Sequence, residues 1–253
     1  MVEIISTTAT AAEASAIATT TAEASVELSE GVKEISYLNE IKELNKLNEL
    51  KEASEITNNF RKNIFENSSF KNLKKLKEDF DAGGGRKIHA FQNLEYESNT
   101  KGQLGECFYK SKIDNMGNVE TQKPYNNREN IIDLFLETDG GVNKFKSLSI
   151  SEDGNIVTKN IYIIDKENIS FEVKNGSYNS VMQELNKGHL QRQIRAGKEI
   201  ADRSFLVTNE DLQREIISNN NIDFVRKINE NGGEVLIDTL PSYDEQTRLF
   251  REV

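Results

Sequence analysis

The chain has 253 residues, of which 36% are hydrophobic and 29% charged, and its formal net charge is −10. This length suffices for one sizeable domain and a smaller one, and no run approaches the roughly 18 apolar residues of a membrane-spanning helix. The first 25 residues are rich in Ala, Thr, Ser and Glu and contain no basic residue, so we expect no signal peptide. The negative charge argues against broad nonspecific affinity for nucleic acid, so any nucleic-acid site must depend on local positive charge.

Helical patterns dominate the first third of the chain. Leucine or isoleucine recurs every three residues from Leu38 to Leu50, and a further helix is predicted near Phe60–Phe80. A spacing of three drifts around a helix of 3.6 residues per turn, which predicts packing against several neighbours rather than a coiled-coil seam. Three glycines at 83–85 then indicate a flexible connection. We therefore predict a helical segment over residues 1–85 and a second domain over residues 86–253.

The second domain mixes predicted strands and helices, which indicates an α/β (α+β) fold. A helix around Glu106 is followed by strands near 131–137, 147–151, 161–164, 169–174, 204–208 and 234–237, with helices over 185–203 and 209–219. The strands 161–164 and 169–174 are predicted to pair as a hairpin. Cys107 is the only cysteine, and we expect it to be a buried structural residue rather than a nucleophile.

Two charged residues stand close together in the predicted strand at 169–174. Apolar and polar residues alternate there, so Glu172 and Lys174 share one face while Phe171 and Val173 face the other way. A carboxylate can bind Mg²⁺, and a lysine beside it can steady the attacking hydroxide or a phosphate oxygen. Taken alone, such a pair is more often a solvated ion pair.

Other residue types suited to phosphate chemistry flank this pair. Glu106 follows a glycine in a predicted helix, and Asp133 is embedded in an apolar strand. On a helical wheel the 185–203 segment places four polar residues in one stripe: Lys187, Gln191, Arg195 and Lys198. A basic stripe beside a carboxylate cluster is what a phosphate-cleaving site requires.

This order of residues resembles the PD-(D/E)XK nuclease superfamily. The closest likeness is to the restriction-endonuclease-like toxin domains at the C-termini of bacterial polymorphic and contact-dependent inhibition toxins. The resemblance covers roughly residues 100–240. The sequence departs from the family pattern in having Ile132, not proline, before Asp133. Asp133 also lies 39 residues before Glu172, which implies an inserted hairpin around Ser147–Thr158.

The resemblance implies a mixed central sheet flanked by helices and a site for divalent cations. Asp133 and Glu172 would bind Mg²⁺ (or Mn²⁺ or Zn²⁺), and Glu106 would reach the same ions directly or through water. Lys174 would orient the nucleophile or neutralise developing charge. We therefore predict that Asp133 and Glu172 converge despite their separation in sequence. Asp165 is the alternative first acid if the family's short spacing is taken literally.

Further residues are implied to contact the substrate. Gln191, or failing that Gln193, would hold a water molecule or the substrate phosphate. Three basic residues of the stripe would bind the nucleic acid: Lys187, Arg195 and Lys198.

The function implied by the resemblance is a metal-dependent nuclease toxin of interbacterial competition. We expect DNA as the substrate, delivery as part of a larger secreted toxin, action in the cytoplasm of the target bacterium, and a cognate immunity protein. The helical segment would serve in delivery, entry or immunity binding. A transfer-RNA-cleaving ribonuclease toxin on the same fold is one alternative. The other is a noncatalytic interaction module whose carboxylates form salt bridges.

Overall fold

The computed structural model describes residues 42–83 apart from residue 44, residues 98–125 and residues 130–253. The chain divides into two compact units, Met1–Ser54 and Glu55–Val253. In the first unit the described residues are helical, and Leu47 and Leu50 of the predicted row lie exposed on this helix. No helix among the described residues is both long enough and apolar enough to cross a membrane.

The second unit is a mixed α/β domain. It opens with helical residues 55–66, called α1 here, and a 3₁₀ turn at Ser68–Phe70. The elements that follow are α2 (Lys71–Asp81), α3 (Ser98–Ile113), β1 (Gly117–Tyr125), β2 (Asn130–Thr138), β3 (Asn143–Ile150), β4 (Ile156–Ile163), β5 (Asn168–Lys174), α4 (Tyr178–Asn186), α5 (His189–Ile200), β6 (Arg203–Asn209), α6 (Glu210–Ser218), α7 (Ile222–Glu230), β7 (Gly233–Leu240) and α8 (Tyr243–Glu252).

The seven strands form one mixed sheet in the order β1-β2-β5-β6-β7-β3-β4. β6 runs parallel to both of its neighbours, and the other pairs are antiparallel. The predicted inserted hairpin is present as β3 and β4, which pair from Asn143↔Ile163 to Ile150↔Ile156. The predicted pairing of 161–164 with 169–174 is wrong. β4 lies at the sheet edge against β3, because β5 is already paired on both sides by β2 and β6.

Helices cover both faces of the sheet and enclose two apolar cores. The first core combines α1, α2, α3 and α8 with one face, and the second combines α4 to α7 with the other. β6 shows the division, since Phe205 and Val207 belong to the first core and Leu206 to the second. A central strand covered on both faces requires such a continuous apolar run. The predicted α+β fold with helices flanking a mixed sheet is therefore confirmed.

The predicted domain boundary at residue 85 is wrong, because α1 and α2 belong to the second unit. Phe60, Ile64 and Leu73 are buried in the first core. The ring of Phe60 packs edge-on against Phe108 of α3, with 5.7 Å between centroids. These helices bury their apolar faces against the α/β domain and complete it. Of the three glycines, Gly84 and Gly85 lie outside the described residues.

The predicted single helix over 185–203 is two helices, α4 and α5. Gly188 separates them with a φ of +75°, a left-handed conformation that glycine adopts at little cost. α5 then lies very close to the sheet, because a Cβ on Gly197 would sit 2.4 Å from the Ser170 hydroxyl oxygen. The strand β1 and the helices α7 and α8 were not recognised in the sequence.

Candidate active site

Asp133 and Glu172 meet across two neighbouring strands. β2 and β5 are antiparallel with Leu134 opposite Phe171, so the next step of the register sets Asp133 opposite Glu172. The Asp133 Oδ2 atom accepts a 2.8 Å hydrogen bond from the Val173 backbone N–H. The predicted convergence of these two acids is therefore confirmed. The β3–β4 hairpin accounts for the long stretch of chain between them.

Glu106 joins the two acids from a helix. It lies on α3, is only 8% exposed, and its Oε2 atom accepts a 2.8 Å hydrogen bond from Gln122 Nε2 on β1. Cys107, the next residue, is buried in the first core as predicted. Burial raises the pKa of the Cys107 thiol well above its ordinary value, which disfavours a thiolate nucleophile.

Lys174 is the cation among these acids. Its Nζ atom lies 2.8 Å from Glu172 Oε1 and 2.9 Å from Glu184 Oε2, a carboxylate of α4. The lysine side chain is 15% exposed and that of Glu172 only 4%, whereas Glu184 is 39% exposed. Lys174 therefore bridges a buried carboxylate and one at the pocket rim.

Burial disfavours the ionised form of the three acids in this cluster. Burial raises the pKa of Glu106 to about 8, and the charge of Asp133 adds to the effect. Burial likewise raises the pKa of Glu172, with Asp133 contributing, and that of Asp133 itself. Burial opposes the charge of Lys174, yet Glu172 and the neighbouring acids outweigh it and raise the lysine pKa. A further cation would relieve this repulsion.

The four charged residues line one open pocket of about 670 Å³. Its remaining wall is rich in hydroxyl and amide side chains, among them Ser69, Asn72, Gln103, Ser177, Ser180 and Gln193. Ser69 and Asn72 come from the segment that the sequence assigned to a separate domain. The pocket thus offers neutral hydrogen-bond partners around a charged centre.

Gln193 lines this pocket and Gln191 does not. Residues two apart on an α-helix point about 200° from each other, so only one of these glutamines can face the pocket. The Gln191 Oε1 atom is instead buried. The preference for Gln191 over Gln193 is therefore corrected.

The predicted basic stripe does not reach the acids. Lys187 is exposed at the end of α4, outside the pocket lining. The Arg195 guanidinium donates a 2.7 Å hydrogen bond to Asn231 Oδ1, and Lys198 donates to the Asp202 backbone carbonyl. These three residues therefore lie outside the acid cluster, and their substrate-binding role stays a prediction. The break at Gly188 and the docking of α5 turn their side chains elsewhere.

Asp165 is also remote from the cluster. It is exposed after β4 and lines a separate cavity of about 560 Å³ that also contains Lys198, Arg203 and Ser204. This cavity lies at the beginning of β5 and β6, whereas Glu172 lies near the end of β5. Asp165 therefore does not join Glu172, and Asp133 is the acid that lies opposite it.

A buried amide network holds the end of β5 against α3. Asn175, directly after Lys174, donates 2.8 Å hydrogen bonds to the Lys101 carbonyl and to Gln246 Oε1. The approach is close enough that a Cβ on Gly105 would lie 2.7 Å from the Asn175 Cβ. The glycine before Glu106 thus permits the contact that sets α3 beside the lysine.

Three contributors to the site were missed in the sequence: Gln122, Asn175 and Glu184. Gln122 lies in β1, a segment without clear apolar alternation, so no strand was predicted to carry it. Asn175 and Glu184 sit in the recognised stretch after Glu172, but nothing local shows which helix they contact. Only the packing of α3 and α4 against β5 reveals their roles.

The donor atoms fit a hard divalent cation by chemistry. Asp133, Glu172 and Glu106 supply carboxylate oxygens, the ligands that Mg²⁺ and Mn²⁺ prefer, and burial raises the pKa of all three. Among the described residues, no three or more His, Cys, Asp or Glu side chains are arranged as they would be around a metal ion. In this arrangement the Lys174 Nζ atom lies 2.8 Å from Glu172 Oε1 and so is already bound to one oxygen of that carboxylate.

Comparisons with known proteins do not indicate a function for the chain. No protein-family model matches the chain, and neither a curated protein nor a solved structure matches it. The resemblance to PD-(D/E)XK nucleases therefore depends on its motif residues: Glu106, Asp133, Glu172 and Lys174.

Proposed function

We propose that the second unit is a metal-dependent nuclease domain that hydrolyses phosphodiester bonds in the pocket around Glu172. One observation carries the proposal: three carboxylates from three elements, Glu106, Asp133 and Glu172, surround Lys174 in a single open pocket. Such a cluster does not stabilise the fold, because buried carboxylates that are not fully paired with positive charge destabilise it. Groups with strongly shifted pKa values in a cleft are typical of active sites.

Each residue has a defined task in this proposal. Asp133 and Glu172, with Glu106, would hold Mg²⁺ (or Mn²⁺ or Zn²⁺), which when bound supplies Lewis acidity and lowers the pKa of water. The Lys174 ammonium orients the attacking water or neutralises charge that develops on the phosphoryl oxygens. Gln193 donates its side-chain amide to the substrate phosphate. The hydroxyl and amide groups of the pocket wall provide further hydrogen bonds to the nucleic acid.

The biological setting is proposed from the resemblance alone. DNA is the proposed substrate, and transfer RNA is the alternative on the same fold. The chain would act as the toxic end of a larger secreted protein in the cytoplasm of a target bacterium. A cognate immunity protein would neutralise it, and the N-terminal helical segment would serve in delivery, entry or immunity binding.

The test is incubation of the purified chain with plasmid DNA and with total RNA, each with Mg²⁺ and with EDTA. Glu172→Gln removes an acid of the cluster, and Asp165→Asn makes the same change of charge in the other cavity as a matched control. We expect Mg²⁺-dependent cleavage that Glu172→Gln abolishes and Asp165→Asn retains. The nucleic acid that is cleaved decides between DNA and RNA. A folded protein that cleaves neither contradicts the proposal.

The ion pairs of Lys174 favour one other candidate, a noncatalytic interaction module. The lysine contacts both Glu172 and Glu184, which would suffice if these charges had only a structural role. In that case Glu172→Gln would change the melting temperature, and no nucleic acid would be cleaved under any metal condition. The same experiment therefore separates the two candidates.

A further inference from the structure

Gln122 has an unusual backbone at the point where β1 passes the acid cluster. β1 and β2 pair in constant register from Gly117↔Thr138 to Tyr125↔Asn130, but the pairing is interrupted where Gln122 would face Asp133. The φ of Gln122 is +53°, in the left-handed region. A residue with a Cβ adopts this region only with backbone strain, and such residues concentrate at functional sites.

The side chain of Gln122 lies between two of the acids. Its Nε2 atom donates the 2.8 Å hydrogen bond to Glu106 Oε2. The β1–β2 register sets Gln122 opposite Asp133, and both residues line the same pocket. Gln122 is therefore placed to fix an acid of α3 relative to an acid of β2.

An ordinary strand residue would not produce this arrangement. A regular β conformation at position 122 would allow the ladder to continue opposite Asp133, and it would cost no strain. Instead, the β1–β2 pairing is interrupted and a left-handed residue is present at the position opposite Asp133. Strain located beside buried acids is the pattern expected of a positioning residue.

We infer that Gln122 is a positioning residue of the proposed nuclease site, where its amide fixes Glu106 relative to Asp133 so that both carboxylates can hold a divalent cation. This inference depends on the proposed function. Residues that orient metal ligands typically cost about 10- to 100-fold in metal affinity or activity when removed. Gln122 touches the ligands, and it acts through them.

Two substitutions separate the effect of the Gln122 side-chain amide from the effect of its left-handed backbone. Gln122→Asn keeps an amide and tolerates the left-handed backbone well, but it is one methylene shorter and falls short of Glu106. Gln122→Gly removes the amide and relieves the strain. Glu120→Gln, on the same strand but exposed, is the matched control. The measurements are the melting temperature, Mn²⁺ affinity by titration calorimetry, and kcat and KM for the cleaved nucleic acid.

We expect both variants to melt at or above the wild-type temperature. Their Mn²⁺ affinity should fall about 10- to 100-fold, and kcat should fall with KM for the nucleic acid little changed. Glu120→Gln should match the wild type in every measurement.

Two results would overturn the inference while leaving the nuclease proposal intact. In the first, an active wild type is accompanied by folded variants with wild-type Mn²⁺ affinity and kcat. In the second, the variants melt at a lower temperature but retain their Mn²⁺ affinity, which would show a purely structural role. A wild type that binds no Mn²⁺ and cleaves nothing would instead contradict the proposed function itself.

Discussion

Glu184 of α4 holds the Lys174 ammonium from the pocket rim, with 2.9 Å between Oε2 and Nζ. On its other side the same ammonium meets the buried Glu172 at 2.8 Å. The two contacts differ in energetic weight, because Glu184 is 39% exposed and solvent screens its charge. The lysine is therefore held mainly by the buried Glu172. Substitutions of Lys174 and Glu172 should consequently affect stability more than a substitution of Glu184.

Lys174→Ala should abolish cleavage and also weaken the fold. Loss of an electrostatic donor typically lowers the rate by about 10² or more. The substitution also leaves Glu172 buried without its cation, so the metal-free melting temperature should fall. In the double variant Glu172→Gln/Lys174→Ala the melting temperature should recover and the activity should not. Wild-type cleavage by folded Lys174→Ala would contradict the proposed role.

Glu184→Gln should change the free energy of unfolding by less than about 1 kcal/mol.

Glu106→Gln should remove activity but stabilise the metal-free protein at alkaline pH. Burial raises the pKa of Glu106 to about 8 from an ordinary value of 4.5, so the folded state prefers the protonated acid. The stability that this group contributes is complete below pH 4.5 and is lost as the pH rises through 8. Thermal melts in EDTA should therefore fall more steeply between pH 5 and pH 9 for the wild type than for Glu106→Gln. Parallel profiles for the two proteins would contradict this prediction.

Gly105→Ala should destabilise the domain, whereas Gly102→Ala should not. A Cβ at position 105 would lie 2.7 Å from the Asn175 Cβ, so α3 or the end of β5 would have to shift. At position 102 the nearest atom would be 3.8 Å away, and alanine favours a helix over glycine by about 1 kcal/mol. We expect a loss of roughly 1–3 kcal/mol for Gly105→Ala and a small gain for Gly102→Ala, measured by urea unfolding. Equal effects would show that the Asn175 contact is not restrictive.

Gln193→Ala should reduce nuclease activity about tenfold, as expected for one lost hydrogen bond to a charged group. Gln191→Ala, two residues away on the same helix, should have near wild-type activity because Gln191 lies outside the pocket lining. Both variants should melt within a few degrees of the wild type. Steady-state cleavage assays on the pair test the assignment, and a larger loss for Gln191→Ala would reverse it.

A fragment that begins at residue 55 should fold, whereas one that begins at residue 86 should not. The shorter fragment lacks α1 and α2, and with them the buried Phe60, Ile64 and Leu73 of the first core. It would expose the apolar surface of α3 that these residues cover, and each lost large side chain costs about 2–5 kcal/mol. Circular dichroism and thermal melting of the two fragments provide the measurement. A cooperative melt of the fragment from residue 86 would restore the boundary predicted at the glycines.

Several parts of the site followed from local sequence patterns. Alternation in 169–174 placed Glu172 and Lys174 together on one face of a strand, and the apolar run around Asp133 indicated the strand that carries it. The long separation of the two acids correctly implied the inserted hairpin. The helix predicted over 209–219 is present as α6, and Asn209 caps it, since its Oδ1 atom accepts a 2.8 Å hydrogen bond from the Leu212 N–H.

Alternation within a strand and capping at a helix end are decided within a few residues, so the sequence alone determined them, together with the mixed α/β class. Strand order, helix orientation and the close approach of separate elements depend on which apolar faces bury one another, so only the tertiary structure decided them. Packing thus selected Gln193 over Gln191, turned Arg195 and Lys198 away from the acids, and brought Gln122 beside Glu106. It also joined α1 and α2 to the domain, because their apolar faces are buried in the first core.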